Sequence, residues 1–101
     1  MILRDASVQM QHGKGAEATA LLKEIVAYLE PRWPTLAPRQ LAVDLAGEWD
    51  RIHLITVRES LDEHEQGQAE QAADGQYQAL AQRFFALTIP GSGRTELLRV
   101  V

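Results

Sequence analysis

Residues 41–54 read LAVDLAGEWDRIHL, two runs of alternating apolar and polar side chains on either side of Gly47-Glu48. Alternation with a period of two is typical of strands, and a short glycine-containing turn between two such runs predicts a β-hairpin. The implied pairing places four apolar side chains on one face, namely Leu41, Val43, Ile52 and Leu54. It places four others on the opposite face, namely Asp44, Trp49, Arg51 and His53. The first face is predicted to lie in the core, and the second to contact a ligand or partner.

The segments around this hairpin alternate between strand and helix patterns. Strands show a period of two and amphipathic helices a period of 3.6, and Ser60-Leu-Asp-Glu63 has the spacing of a capping box at a helix start. The predicted elements are a strand at 2–11, a helix at 16–30, strands at 39–46 and 49–58, a helix from Ser60 that ends in the stripe Tyr77–Phe85, and a strand at 95–101. The order is β-α-β-β-α-β.

This order predicts an α+β ferredoxin-like sandwich, a four-stranded antiparallel sheet with two helices on one face. In the last strand, Leu98 and Val100 are predicted to face the helices, and Leu97 and Arg99 the other side. The face away from the helices mixes charge with Trp, Ile and Val side chains, so full exposure to water is disfavoured. We therefore predict a homodimer in which two such faces enclose a partly polar cavity.

Composition narrows the classes of function. Residues 1–101 are predicted to form one domain, with 10 Lys and Arg against 14 Asp and Glu and a net charge of -4. That balance argues against a nucleic-acid or anionic-membrane surface. The chain has no cysteine, which excludes disulfides and thiolate metal sites. No apolar run approaches the roughly 20 residues of a membrane span, and the first residues lack a signal-peptide pattern, so a cytoplasmic location is predicted.

Three fragments carry a resemblance to a known superfamily: HGKGAEATALL at 12–22, DLAGEWDRIHLITVRESLDEHE at 44–65 and FFALTIPGSGRTELLRVV at 84–101. The chain resembles the dimeric α/β-barrel proteins, which include the antibiotic-biosynthesis-monooxygenase-like, stress-responsive barrel and NIPSNAP-like families. The resemblance implies a dimer with a pocket between each sheet and its helices or across the barrel. It implies no single chemistry, because these families include oxygenases, isomerases, haem-degrading enzymes and proteins without known activity.

The candidate site is the polar side of the hairpin. We predict His53 as a base, Arg51 as an anion clamp and Asp44 as their orienting partner, because imidazole titrates near neutrality and guanidinium binds carboxylate or enolate oxygens. The side chains predicted to contact a small, flat organic substrate are Trp49, Ser7, Gln9 and Tyr77, with Asp5 beside them on the first strand. The chemistry would be cofactor-independent oxidation or proton transfer, and the alternative is a non-catalytic ligand-binding or stress-associated interaction protein.

Other patterns are weaker. Gly13-Lys14-Gly15 opens a loose G-x-G-x-x-A motif, but the preceding strand alternates, whereas a dinucleotide fold needs an apolar strand there. A flexible turn is predicted, with anion binding by Lys14 as the alternative. The three histidines, His12, His53 and His64, have no metal-ligand spacing, and no metal or other cofactor is predicted. The family's haem-binding pattern is missing too, because neither tryptophan falls on the second helix. Residues 62–78 are predicted to be a solvated helix face or, alternatively, a mobile flap.

Overall fold

Four strands and three helices make up the fold in a computed structural model that describes residues 1–34, 40–47 and 49–101. Their order is the predicted one, except that the second helix is broken into two. The elements are β1 (Ile2–Gln9), α1 (Gly15–Leu29), β2 (Gln40–Val43), β3 (Arg51–Arg58), α2 (Leu61–Ala72), α3 (Gly75–Phe85) and β4 (Arg94–Arg99).

The sheet is antiparallel, with strand order β2-β3-β1-β4. The sequential neighbours β2 and β3 form the hairpin, while β1 and β3 pair in the centre, as right-handed crossovers require of a ferredoxin-like sandwich. The predicted α+β fold is confirmed. So is the register of the hairpin, in which Leu41 pairs with Leu54, and Val43 with Ile52.

The connection inside the hairpin is longer than the predicted two-residue turn. β2 already ends at Val43, and β3 begins at Arg51. Gly47 has a φ of 112° and Asp50 a φ of 60°, and this left-handed backbone does not fit a strand. The paired part of the hairpin is therefore shorter than predicted, since the first strand was expected to end at 46 and the second to begin at 49. The other predicted turn residue, Glu48, lies outside the described residues.

The core lies between the sheet and the helices. The apolar stripe of α1 packs against α3 and against Ile52 near the start of β3. The core residues are Met10, Ala18, Leu21, Leu22, Ile25, Leu29, Ile52, Leu80 and Phe84, all less than one-tenth exposed. This layer orients the sheet, because Ile52 is fixed on the helix side and its neighbours along β3 must therefore point away.

The second helix is broken at Asp74, which corrects the prediction of two helices. The Asp74 carboxylate accepts hydrogen bonds from the Tyr77 backbone N–H at 2.8 Å and from the Tyr28 hydroxyl at 2.8 Å. An aspartate that caps a new helix start in this way ends the preceding helix, because its own backbone is extended. The predicted start of α2 is confirmed, since the Glu63 N–H donates to the Ser60 hydroxyl oxygen at 3.2 Å.

The side chains of the last strand lie on the opposite faces of the sheet from the predicted ones. Leu98 pairs with Leu3, on the face turned away from the helices, and Leu97 pairs with Arg4, on the helix side. The prediction was wrong because two adjacent leucines give a strand no preferred face, so pairing with β1 decides it. The inversion brings Arg94 and Glu96, instead of Leu97 and Arg99, to the face turned away from the helices.

That face is called the open face below. The side chains that β1, β3 and β4 contribute to it fall into a polar and an apolar half. The polar half contains Asp5, Ser7, Arg51, His53, Arg94 and Glu96, and the apolar half contains Leu3, Ile55, Val57 and Leu98. Among the described helices, none is both long and apolar enough to cross a bilayer.

Candidate functional site

His53 lies between two carboxylates on the open face. Its Nδ1 is 2.9 Å from Asp5 Oδ1, and its Nε2 is 2.6 Å from Asp44 Oδ1. His53 pairs with Ser7 of the central strand β1 and with Ala42 of β2, and Asp5 and Asp44 each lie two residues along the chain from these partners. Because an ionised carboxylate only accepts hydrogen bonds, the imidazole satisfies both partners only when both ring nitrogens carry a proton.

The pKa of His53 is set by this arrangement. Burial disfavours the charged ring and lowers its pKa, but the hydrogen bonds to Asp5 and Asp44 and the charges of these carboxylates outweigh it, so the pKa is raised above 6.5. A folded-state pKa above the unfolded value means that this pairing stabilises the fold fully below about pH 6.5. The contribution disappears as pH rises through the raised pKa.

Arg51 is the second charged group of the site and is only 4% exposed. Its guanidinium donates from Nη1 to the Ser7 hydroxyl at 2.8 Å and from Nη2 to the Ser92 carbonyl oxygen at 2.9 Å. Ser92 belongs to the turn before β4, and its hydroxyl oxygen accepts a hydrogen bond from the Gln9 N–H at 3.1 Å. Arg51 therefore links β3, β1 and the turn that borders the site.

These groups line a cavity of about 300 Å³, called the polar cavity below. Its wall carries both acidic and basic side chains, which favours a ligand with polar groups at its edge. The lining residues are Asp5, Ser7, Asp44, Gly47, Arg51, His53, Arg94 and Glu96. The sequence prediction missed Arg94 and Glu96 because it placed the opposite face of β4 here. Only the pairing of β4 with β1 identifies them.

The structure brings some of the predicted site residues together and separates others. His53, Arg51, Asp44 and Ser7 line the polar cavity. Gln9 does not, and its side-chain amide instead donates to the Trp49 carbonyl oxygen at 3.1 Å.

Trp49 lies in the hairpin loop, 85% exposed, and lines a different groove, beside α1. Tyr77 lies on the helix side of the sheet, so it shares no cavity with His53. The roles proposed for all of these residues stay predictions.

Two weaker predictions concern the turn before α1 and the histidines. Lys14 lies 3.9 Å from Glu17, an exposed pair one turn along the helix, and Gly13 has a φ of 80°, as a turn requires. Within the described ranges, no group of three or more His, Asp or Glu side chains has the arrangement of a metal site. In the Asp5–His53–Asp44 cluster, the acids face the ring nitrogens instead of a common centre.

Comparisons with solved structures find the same fold. A NIPSNAP family protein from Agrobacterium tumefaciens is 22% identical, with a TM-score of 0.84 over 99% of this chain and 92% of that one. An antibiotic biosynthesis monooxygenase is 16% identical, with a TM-score of 0.76 over 100% and 99%. A point mutant of SnoaB, a cofactor-independent oxygenase from Streptomyces nogalater, is 16% identical, with a TM-score of 0.72 over 98% and 91%.

No protein-family model matches the chain, and no curated protein resembles it closely enough to count as a relative. Similarity at these identities shows fold and not chemistry. The chain therefore has the ferredoxin-like α+β fold that NIPSNAP family proteins share with antibiotic biosynthesis monooxygenases.

Proposed function

We propose that the protein is a homodimer whose open faces pack together, and that the polar cavity between them binds a small, flat organic ligand. The observation that carries this proposal is the imidazole of His53, held between Asp5 and Asp44 in the wall of a cavity. A partly buried cluster of ionisable groups on an uncovered sheet face is typical of a functional surface.

The apolar half of the open face supports the dimer. Leu98 is 47% exposed, and β4 is exposed at all six of its positions. Next to Leu98 lie the partly buried side chains of Leu3 and Val57, which form a continuous apolar surface with it. Two copies related by a two-fold axis bury this surface against itself and close the polar cavity at the same time.

In its catalytic form, the proposal is a proton transfer followed by direct reaction with dioxygen. An acidic CH₂ group of the ligand gives a proton to the His53–carboxylate cluster, and the carbanion supplies electrons to O₂. The CH₂ group becomes C=O, one oxygen atom enters the product and the other leaves as water, so no external reductant is needed. Because both ring nitrogens of His53 carry protons when they bind the two carboxylates, the proton is accepted by Asp5 or Asp44, and His53 orients these carboxylates. Arg51 stabilises the developing negative charge.

The rival form is ligand binding without turnover. One observation favours it, namely that both nitrogens of His53 already have partners, so the ring has no free lone pair for a substrate. In that form, the charged wall of the polar cavity recognises polar groups of the ligand and performs no chemistry.

One experiment distinguishes the two forms. Anthrone, a flat ketone with an acidic CH₂ group, is added to the wild type, to His53→Ala and to the control His12→Ala, which changes an exposed histidine in the turn before α1. Oxygen uptake and amide NMR shifts are measured together. We expect shifts at Ser7 and His53 in the wild type, and the same shifts in the control.

The outcomes separate cleanly. Oxygen uptake that is lost in His53→Ala, while the folded NMR spectrum is kept, supports the enzyme. Shifts at Ser7 and His53 without uptake above the background rate support the binding protein. Shifts confined to residues elsewhere in the molecule contradict the polar cavity as the ligand site.

A further inference from the structure

Helix α2 lies apart from the hydrophobic core. It packs against α3 and β3, but none of its described residues belongs to the core between α1, α3 and the sheet. Its two buried residues are Gly67 and Gln71, so it buries no large apolar side chain. Because apolar burial holds most helices against a domain, α2 is attached more weakly than α1 or α3.

Polar side chains occupy this end of the helical layer instead. Arg4 on β1 pairs with Thr56 on β3, and both lie on the helix side of the sheet. Arg4 Nε, Thr56 Oγ1 and, on α2, His64 Nδ1 are buried, and none of these atoms has a hydrogen-bond partner among the described residues. A buried polar atom without a partner costs free energy that contact with water recovers. Movement of α2 away from the sheet therefore regains part of the free energy that it costs.

The charges around His64 favour the same movement. Burial lowers the pKa of His64 below 6.5, and the positive charges of Arg4 and Arg58 lower it further. Glu65, on α2 itself, opposes this with a smaller effect, and from α3 Tyr77 acts electrostatically on Arg4. A protonated His64 adds a third positive charge at this place, so the closed position of α2 disfavours protonation.

Both ends of α2 allow it to move without α3. Ser60, just before its first turn, has an extended backbone with a φ of -152°. Asp74 begins a separate helix and accepts a hydrogen bond from the Tyr28 hydroxyl on α1, so α3 stays attached to the core. A side-chain hydrogen bond of 2.6 Å, donated by Trp33 Nε1 to Glu70 Oε2, ties α2 to the segment after α1.

We propose that α2 is a lid that opens away from the sheet while α1, α3 and the strands stay folded, and that protonation of His64 opens it. The closed position lowers the affinity of His64 for a proton, so protons favour the open position by linkage. The lid is therefore most firmly closed above about pH 6.5, and it opens increasingly as the pH falls below that value. Opening exposes Arg4 and Arg58 to water, which uncovers a basic surface on a chain whose net charge is -4. The lid lies on the helix side of the sheet and does not depend on the polar cavity or on the dimer.

Amide hydrogen exchange tests the lid at about pH 7.5 and about pH 5.5, one unit on either side of the ordinary histidine pKa. The results are compared as protection factors, which remove the intrinsic pH dependence of exchange. We expect α2 to be less protected than α1 at both pH values. From the higher to the lower pH, the protection of α2 should fall at least about threefold. That of α1 and β3 should stay constant or rise, because the pairing of His53 stabilises the whole fold at low pH.

Four variants separate the parts of this device. His64→Gln keeps a polar side chain that takes up no proton, so the protection of α2 should no longer change with pH. The control His12→Gln changes an exposed histidine in the turn before α1 and should keep the wild-type response. Arg4→Met removes a positive charge that acts on His64 and should lessen the response. Trp33→Phe removes the hydrogen bond to Glu70, so it should lower the protection of α2 at both pH values and keep the response.

Three results would overturn the proposal. If α2 is as protected as α1, it opens only when the whole domain unfolds. If the protection of α2 is the same at both pH values, or falls together with that of α1, no proton-driven lid exists. If the pH response survives in His64→Gln or is undiminished in Arg4→Met, the charge on His64 does not drive the opening.

Discussion

Replacing Leu98 with aspartate is expected to convert a dimer into a monomer. Leu98 lies on β4 in the apolar half of the open face and is 47% exposed in the single chain. The folded monomer therefore tolerates a carboxylate there, whereas a two-fold interface places two unpaired carboxylates in an apolar contact. The expected cost is about 3 kcal/mol or more, which weakens the dimer at least about a hundredfold.

The measurement is the molar mass from light scattering after size exclusion at micromolar concentration. The wild type should give twice the chain mass of 11.3 kDa, and Leu98→Asp should give the chain mass itself. Ala27→Asp is the matched control, because it adds the same charge at an exposed position on α1, away from the sheet. It should remain dimeric. A wild type that elutes as a monomer, or a Leu98→Asp variant that stays dimeric, contradicts packing through the open face.

Replacing Arg51 with methionine is expected to lower the free energy of unfolding by about 3 kcal/mol. Methionine fills much of the same volume, so packing changes little, but the Ser7 hydroxyl and the Ser92 carbonyl lose their charged donor in a site that is almost closed to water. Hydrogen bonds to charged groups contribute about 1.5–3 kcal/mol each, and buried partners left without them add a desolvation cost.

Chemical denaturation at one fixed protein concentration measures the effect of Arg51→Met. Arg83→Met is the control, because this exposed arginine on α3 should change stability by less than about 0.5 kcal/mol. A loss below about 1 kcal/mol for Arg51→Met would mean that Arg51 does not hold the turn before β4 against β1.

Alternation along the chain was enough to predict the centre of the sheet. In the hairpin, one slip of register would move Val43 and Ile52 to the wrong face, so the hydrophobic pattern fixes the pairing. In the last strand the pattern is not sufficient. Leu97 and Leu98 are adjacent, and all six residues of the edge strand β4 are exposed, so side-chain burial does not distinguish its two faces. Only the pairing of β4 with β1 assigns them.

The candidate site was predictable to the same extent. Parity alone placed Asp44, Arg51 and His53 on one side of the hairpin, and the structure finds them around one cavity. That Asp5 is the second partner of His53 depends on which strand lies beside β3, which a local pattern does not contain. At the helix break, the hydrogen bond from Tyr28 to Asp74 joins residues 46 positions apart in sequence, and a local pattern does not contain this contact either.

The proposed site depends most on the charge state of His53, because the pairing with Asp5 and Asp44 requires both ring nitrogens to be protonated. A pH titration of the imidazole NMR signals, assigned by comparison with His12→Ala and His64→Ala, measures this directly. We expect a midpoint above 6.5 for His53, with His64 titrating below 6.5. A His53 midpoint at or below 6.5 would contradict the proposed site.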